Sequence, residues 1–166
     1  MEVIVELLIR FCYLWVLVIV VVILDLFMPR IKGFFGEKSV SFFLSRLDET
    51  KYMVINDIML QVGGKTTQID HVVVSNYGVF VIETKNYKGR IIGNEFDEYW
   101  IQKNYKPKKN MYNPIRQNYG HIQALKKILG DFPEVNYIPI VVFTTKADLK
   151  VKCKTDVIYN KFIEDN

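Results

Sequence analysis

Residues 67–86 read TQIDHVVVSNYGVFVIETKN, two apolar runs separated by a short polar segment at residues 76–78 that ends in glycine. Apolar runs joined in this way predict a β-hairpin. The second run is apolar at every position before its end, which is typical of a central strand covered on both faces. Charged groups lie at the open end of the hairpin: Asp70 starts the first strand, and Glu83 and Lys85 finish the second.

The geometry of strands predicts that these three side chains meet. Side chains alternate between the faces of a strand, so Glu83 and Lys85 share a face. A turn at residues 76–78 sets the start of the first strand beside the end of the second, which brings Asp70 to the same edge. Two carboxylates and an amine at a sheet edge are the parts of a magnesium-dependent phosphodiesterase. The alternative interpretation is a structural Glu83–Lys85 ion pair.

The rest of the chain predicts an α/β fold, with a central mixed sheet flanked by helices. Residues 104–113 are polar and contain a proline, so we expect a loop that ends at Asn113, the N-cap of a helix beginning at Pro114. The expected elements are a helix over 36–47, strands over 52–62, 68–75, 78–85, 90–93 and 99–103, a helix over 114–129, and strands over 137–144 and 156–159.

The N-terminal segment predicts one transmembrane helix. Residues 7–24 have Arg10 as their only charge, and a helix over residues 7–28 would be about 33 Å long, close to the thickness of a bilayer core. The competing interpretation, a cleaved signal peptide, would have a basic start and a small-residue cleavage site, and neither is present. We expect an anchor and connector over residues 1–32 and a separate domain over residues 33–166. The basic residues after the span predict a single-pass protein of the cell membrane, with that domain in the cytoplasm.

Cysteine and histidine content argues against several kinds of site. The two cysteines, Cys12 and Cys153, give no disulfide framework, which fits a reducing compartment. With two histidines and no close cysteine pair, we expect no zinc site. His71 follows Asp70 in its strand and should point to the other face, as a hydrogen-bonded histidine rather than a ligand. The Gly-Gly-Lys-Thr of residues 63–66 lacks the spacing of a P-loop.

Residues 99–130 contain seven Lys or Arg and no Asp or Glu, with aromatic residues interleaved. A stretch of one charge with aromatics suits a polyanion. The alternatives are a solvated basic face and attraction to an anionic membrane leaflet. The candidate nucleic-acid-binding residues are Lys103, Lys106, Lys108, Lys109 and Arg116.

Several motifs, in this order, resemble the nuclease-related (NERD) domain. They are Gly36-Glu37, the segment QIDHVVVSNYGVFVIETKNYKG, Trp100, the segment NPIRQN, and His121. The resemblance covers about residues 33 to 150. Because that family is similar to the PD-(D/E)XK nucleases, it implies a restriction-endonuclease-like core. Ile69 stands where the proline of the superfamily's name motif would be.

The resemblance also implies a set of catalytic residues and a cofactor. Asp70 and Glu83 match the metal ligands, and Glu37 matches a further carboxylate that the first helix offers to the metal. Lys85 matches the catalytic lysine, and Gln117 matches a glutamine that lines the same site. The implied cofactor is Mg²⁺ or Mn²⁺, and the implied substrate is nucleic acid, with DNA favoured over RNA.

Independently of the family, Asn113, Gln117 and His121 lie four residues apart and should share one helix face. Two functions from different classes remain open. The first is a membrane-anchored, Mg²⁺-dependent nuclease that hydrolyses phosphodiester bonds of DNA. The alternative is a non-catalytic nucleic-acid-binding module tethered to the membrane. The basic stretch over residues 99–130 suggests it. A structural protein whose sheet packs against a partner is a third, weaker idea.

Overall fold

The computed structural model describes residues 2–104, 108–130, 132 and 135–162. The chain divides into two compact units, Met1–Phe34 and Phe35–Asn166. The helices are α1 (Glu2–Leu44), α2 (Pro114–Ile128) and a short 3-10 helix (Asn160–Phe162). The strands are β1 (Tyr52–Val62), β2 (Lys65–Ser75), β3 (Gly78–Lys85), β4 (Gly89–Asn94), β5 (Tyr99–Lys103), β6 (Lys109–Tyr112), β7 (Tyr137–Phe143), β8 (Ala147–Lys152) and β9 (Asp156–Tyr159).

The N-terminal helix is long and apolar enough to span a membrane. Within Arg10–Leu44 its mean hydropathy reaches 2.8, and side chains 11–28 are all exposed. The connector expected at the end of residues 1–32 was wrong, because α1 runs through Pro29 and ends at Leu44. A proline removes one backbone hydrogen bond, and a helix can continue when the neighbouring bonds form. The expected helix over residues 36–47 is therefore the last part of α1.

The larger unit is built on a five-stranded mixed sheet in the order β1-β2-β3-β7-β9. Strands β1, β2 and β3 are antiparallel neighbours, whereas β3, β7 and β9 run parallel. The predicted hairpin is confirmed, with Ser75 opposite Gly78. Gly78 has a φ of 139°, and a Cβ there would clash with the carbonyl oxygen of Asn136, so a larger residue would not fit.

Both faces of β3 are covered, as a central strand requires. Val81 lies in a cluster with Ile122 and Leu125 of α2. Ile82, one residue further, lies in a second cluster with Val40 of α1. Odd-numbered residues of β3 therefore face α2 and even-numbered ones face the end of α1, which puts Glu83 on the α2 side.

A second sheet, in the order β6-β5-β4-β8, completes the mixed α/β fold. It shares a core with the first sheet, in which Trp100 stacks on Phe143 with ring centroids 6.3 Å apart. Two expectations were incomplete here. Residues 109–112 form β6 inside the predicted loop, and β8 was not expected at all. Both segments are short and largely polar, so their pairing partners, rather than their own apolar pattern, make them strands.

Candidate active site

Glu83 is the most buried charge of the site, with a side-chain exposure of 2%. Its position on the α2 face of β3 places it against two donors. Lys85 Nζ lies 2.6 Å from Glu83 Oε1, and His121 Nε2 lies 3.0 Å from Oε2. Both carboxylate oxygens are thus hydrogen-bonded, which offsets the cost of burying the charge.

Lys85 is held between two elements. Besides Glu83, its ammonium donates to Gln117 Oε1 on α2 at 2.9 Å. The Lys85 side chain is 16% exposed, so it is not fully enclosed. The structure therefore brings together the lysine, the glutamate and the glutamine that the sequence singled out.

Asp70 lies at the point where the β2–β3 ladder ends. Its Oδ2 accepts a hydrogen bond of 2.7 Å from the backbone N–H of Thr84. The preceding residue Ile69 and Val72 pack in the same cluster, so the alternation of β2 is broken between them. Asp57, on the neighbouring strand, has a φ of 56°, which marks the same irregularity. Asp70 is thereby turned to the end of β3, as the hairpin register predicted.

The electrostatics of this end are dominated by carboxylates. Burial raises the pKa of Asp70 from its ordinary 3.8 to about 7, and the nearby charges of Glu83 and Glu37 add to the rise. Burial also raises the pKa of Glu37, with the charges of Asp57 and Glu83 as further causes. These carboxylates therefore repel one another, although the Lys85 ammonium partly compensates.

Glu37 belongs to the last part of α1 and is half-buried. The preceding residue, Gly36, is buried, and a Cβ there would lie 2.7 Å from Cβ of Asn86, which follows β3. The absence of a side chain at Gly36 therefore lets the helix approach the end of β3 closely. This close approach accounts for the electrostatic coupling of Glu37 to Glu83 and Lys85.

His121 is a buried member of the site that the sequence left undecided. Its Nδ1 lies 2.9 Å from Thr67 Oγ1, while Nε2 lies 3.0 Å from Glu83. In a neutral ring with the proton on Nε2, Nδ1 accepts from the Thr67 hydroxyl and Nε2–H donates to Glu83. The spacing of four residues between Gln117 and His121 predicted that they share a helix face. No pattern in the sequence indicated that Thr67 would contact His121.

His71 behaves as predicted. It is 2% exposed, and its Nδ1 lies 2.7 Å from Asn56 Oδ1. Burial lowers the pKa of His71 from 6.5 to about 4, so the ring is neutral at pH 7. This histidine is a hydrogen-bonded core residue.

Two asparagines fix α2 relative to the sheets. Asn113 is the N-cap, as predicted: its Oδ1 accepts from Ile115 N at 2.9 Å. The Asn113 amide donates to three carbonyls of residues 94–97 at 2.7–3.4 Å. Asn118 is fully buried and donates to the carbonyls of Val81 and Ile140. Because α2 is held at two points, Gln117 and His121 are set opposite the end of β3.

The candidate nucleic-acid-binding residues lie on the surface. Lys103, Lys108, Lys109 and Arg116 are exposed, and Lys106 lies outside the described residues. Only Arg116 is on α2, one residue before Gln117.

The donor set fits a hard cation. Within the described ranges, no three or more Cys, His, Asp or Glu side chains are grouped so that they could hold a metal ion. Mg²⁺ does not need such a group, because it binds through one or two carboxylates and keeps several waters. Asp70, with mutually repelling carboxylates around it, is the kind of oxygen ligand that a divalent cation stabilises.

Comparison with known proteins agrees with this architecture. Residues 32–144 match the model of the nuclease-related domain family, NERD. The chain belongs to the NERD family. A curated relative, an uncharacterized protein of Bacillus anthracis, is 41% identical to this NERD protein over 123 residues. The match covers 74% of the chain and 57% of the relative, so the chain spans little more than half of that relative's length. No solved structure matches the chain.

Proposed function

We propose that this NERD protein is a metal-dependent nuclease that hydrolyses phosphodiester bonds of DNA. The observation that carries the proposal is the position of Lys85 Nζ, held 2.6 Å from Glu83 and 2.9 Å from Gln117 beside the carboxylate of Asp70. The proposal includes a membrane anchor over residues 7–28 and a cytoplasmic nuclease-like domain over residues 33–166.

Asp70 and Glu83 would hold Mg²⁺ or Mn²⁺, with Glu37 as a further carboxylate. The ion, when bound, polarises the phosphate and lowers the pKa of a bound water. Lys85 stabilises negative charge that develops on the phosphate oxygens, because its ammonium is already oriented and partly shielded from water. Gln117 fixes the direction of that ammonium through the 2.9 Å hydrogen bond.

His121 has a positioning role in this proposal. By donating to Glu83 Oε2 it leaves the carboxylate a single orientation, and the Thr67 hydroxyl holds the ring at Nδ1. Hydrogen bonds from outside the metal's own ligands commonly orient those ligands in this way. The exposed residues Lys103, Lys108, Lys109 and Arg116, together with the charge of Lys106, supply the positive charge that a polyanionic substrate needs.

The test is cleavage of labelled DNA by the full chain in detergent micelles, with Mg²⁺, with Mn²⁺ or with EDTA. We expect cleavage with either metal and none with EDTA. Asp70→Asn and Lys85→Met should each lower the rate by about 10²-fold or more, as for the loss of a preorganised electrostatic group. Lys146→Met, which replaces an exposed lysine elsewhere, is the matched control and should cleave like the wild type. Equal rates for the wild type and both site variants would refute the proposal.

A binding module without catalysis is the second candidate. It is favoured by the lack of a three-residue ligand group among the described residues and by the exposed basic surface. It predicts salt-sensitive DNA binding without measurable Mg²⁺ affinity. Calorimetric titration with Mg²⁺ separates the two, because the nuclease must bind the ion and Asp70→Asn must weaken that binding.

A further inference from the structure

A groove of about 450 Å³ runs along the outer side of α2, next to the site. Its walls come from α2 and from the end of the β1–β2 hairpin. Gln117 and His121 line both the groove and the network around Glu83. The Gln117 side chain, which accepts from the Lys85 ammonium, therefore lies between the groove and the site.

The described residues of the groove carry positive charge. They include Lys65, Arg116 and Lys127, and no Asp or Glu is among them. All three side chains are exposed, and none forms an ion pair with a carboxylate in the described part of the chain. Lys127 Nζ lies 3.7 Å from the place that a Cβ of Gly63 would take, so this charge sits at the hairpin end of the groove. Lys65 and Lys127 therefore lie at the hairpin end, and Arg116 lies in the first turn of α2.

The floor of the groove contains a glycine inside a helix. Gly120 lies one turn after Arg116, and a Cβ there would meet no atom within 4 Å. Glycine in a helix interior is less stable than alanine, and the fold offers no steric reason for it here. The missing side chain keeps the groove open.

An aromatic side chain completes the lining. Tyr112 is 47% exposed, and its ring meets Tyr99 edge-on with centroids 5.9 Å apart. Basic grooves with a partly exposed aromatic ring are how proteins bind single strands, with phosphates on the cations and a base stacked on the ring.

We propose that this groove binds one strand of a nucleic acid and leads it to Lys85. Phosphates lie at Lys65, Arg116 and Lys127, and a base stacks on Tyr112. The groove has the volume of a pocket that encloses a drug-sized ligand, which suits a nucleotide or two of a single strand, whereas a duplex would only touch its rim. The choice of nucleic acid as ligand rests on the proposed function, but the binding itself requires neither metal nor cleavage.

The experiment is fluorescence anisotropy with the full chain in detergent micelles and EDTA, so that no metal-dependent cleavage occurs. The probe is a labelled single-stranded DNA of about 12 nucleotides, within the usual site size of such grooves. We expect Lys65→Gln, Arg116→Gln and Lys127→Gln each to reduce the slope of log K against log salt by about 0.7, the value for one phosphate contact on a single strand. Tyr112→Leu should weaken binding about fivefold or more through the loss of stacking.

Two further variants separate binding from folding. Gly120→Gln should fill the groove and weaken binding while raising the unfolding temperature, because glutamine favours helix more than glycine does. Lys152→Gln, an exposed lysine that does not line the groove, should leave both the affinity and the slope unchanged. A matching duplex should bind more weakly than the single strand.

Unchanged salt slopes in the three charge variants, or a wild type that prefers the duplex, would overturn the groove proposal. Either result leaves metal-dependent cleavage as a separate question. Conversely, reduced slopes without any cleavage in Mg²⁺ would support the groove and refute the nuclease, so the two failures can be told apart.

Discussion

The charges at the end of β3 and the charges of the groove along α2 are held in opposite ways. Glu83 is 2% exposed and both of its oxygens are hydrogen-bonded, so its position is fixed by its neighbours. Arg116 and Lys127 are exposed, without a carboxylate partner in the described part of the chain. The buried group suits chemistry that needs exact geometry, whereas the exposed ones suit attraction that tolerates movement.

The difference predicts where substitutions act on stability and where they act on binding. Buried charges depend on their partners, and the loss of one leaves the others unpaired in a medium of low polarity. Exposed cations are already solvated, so their removal changes folding little. Helix α2 connects the two regions, since Gln117 contacts Lys85 and also lines the groove beside Arg116.

The largest effect is expected for Glu83→Ala. It leaves Lys85 and His121 without their common acceptor, which should destabilise the fold by about 3–5 kcal/mol. Urea unfolding of the full chain measures the change. The double variant Glu83→Ala/Lys85→Met should recover part of the loss, because the unpaired ammonium is gone. An unchanged midpoint for Glu83→Ala would mean that this charge is solvated rather than buried.

The next effect is expected for Asn113→Ala, which should lower the free energy of unfolding by about 2–3 kcal/mol. The substitution removes the helix N-cap and takes away the side-chain donor of the carbonyls of Glu95 and Asp97. Asn113→Ser is the matched variant, because its hydroxyl can cap the helix but cannot reach those carbonyls. Asn113→Ser should therefore be more stable than Asn113→Ala by about 1 kcal/mol. Equal losses for the two variants would assign the whole effect to the loop contacts.

The titration of Asp70 should change the free energy of unfolding with pH, by about 1.4 kcal/mol for each unit between its folded and unfolded pKa and so by a few kcal/mol in all. Its pKa is about 7 in the folded metal-free protein and 3.8 ordinarily, so the folded state binds more protons between these values. Its contribution to stability is therefore complete below about pH 4 and is lost as the pH rises towards 7.

His71 acts in the other direction, because its lowered pKa costs stability as the pH falls from 6.5 towards 4. The measurement is therefore the difference in the free energy of unfolding between the wild type and Asp70→Asn at each pH, in EDTA. The contribution of His71 is common to both proteins and cancels in this difference. Asp70→Asn should gain relative stability as the pH rises from 4 to 7. A difference that is constant with pH would contradict the raised pKa.

The smallest effect on folding is expected for Arg116→Gln. Because this side chain is exposed and without an ion-pair partner among the described residues, stability should change by less than about 0.5 kcal/mol. Thermal unfolding measures the change beside the altered salt dependence of DNA binding. A large loss of stability would show that the two regions are less different than their burial indicates.

The hairpin and its polar end could be predicted because the information is local. The alternation of Val79, Val81 and Glu83 fixes which side chains share a face, and the turn fixes the register. The same holds for the Asn113 cap and for the spacing of Gln117 and His121.

The features that were missed depend on contacts between distant segments. Strand β8 pairs in parallel with β4, about sixty residues earlier in the chain, with Arg90 opposite Asp148. The sequence of β8 is too polar to predict a strand by itself. Thr67 enters the site only because α2 crosses over β2. The helical path through Pro29 was missed because a proline alone does not decide whether the neighbouring hydrogen bonds form.

Trp100 gives the molecule an optical reporter of this architecture. It is fully buried, and its indole N–H donates to the carbonyl of Asn94, in the loop that Asn113 also holds. The second tryptophan, Trp15, is 62% exposed in the N-terminal unit. In a Trp15→Phe background the emission spectrum therefore comes from one indole in the core shared by the two sheets. Its red shift would record the moment at which that core opens to water.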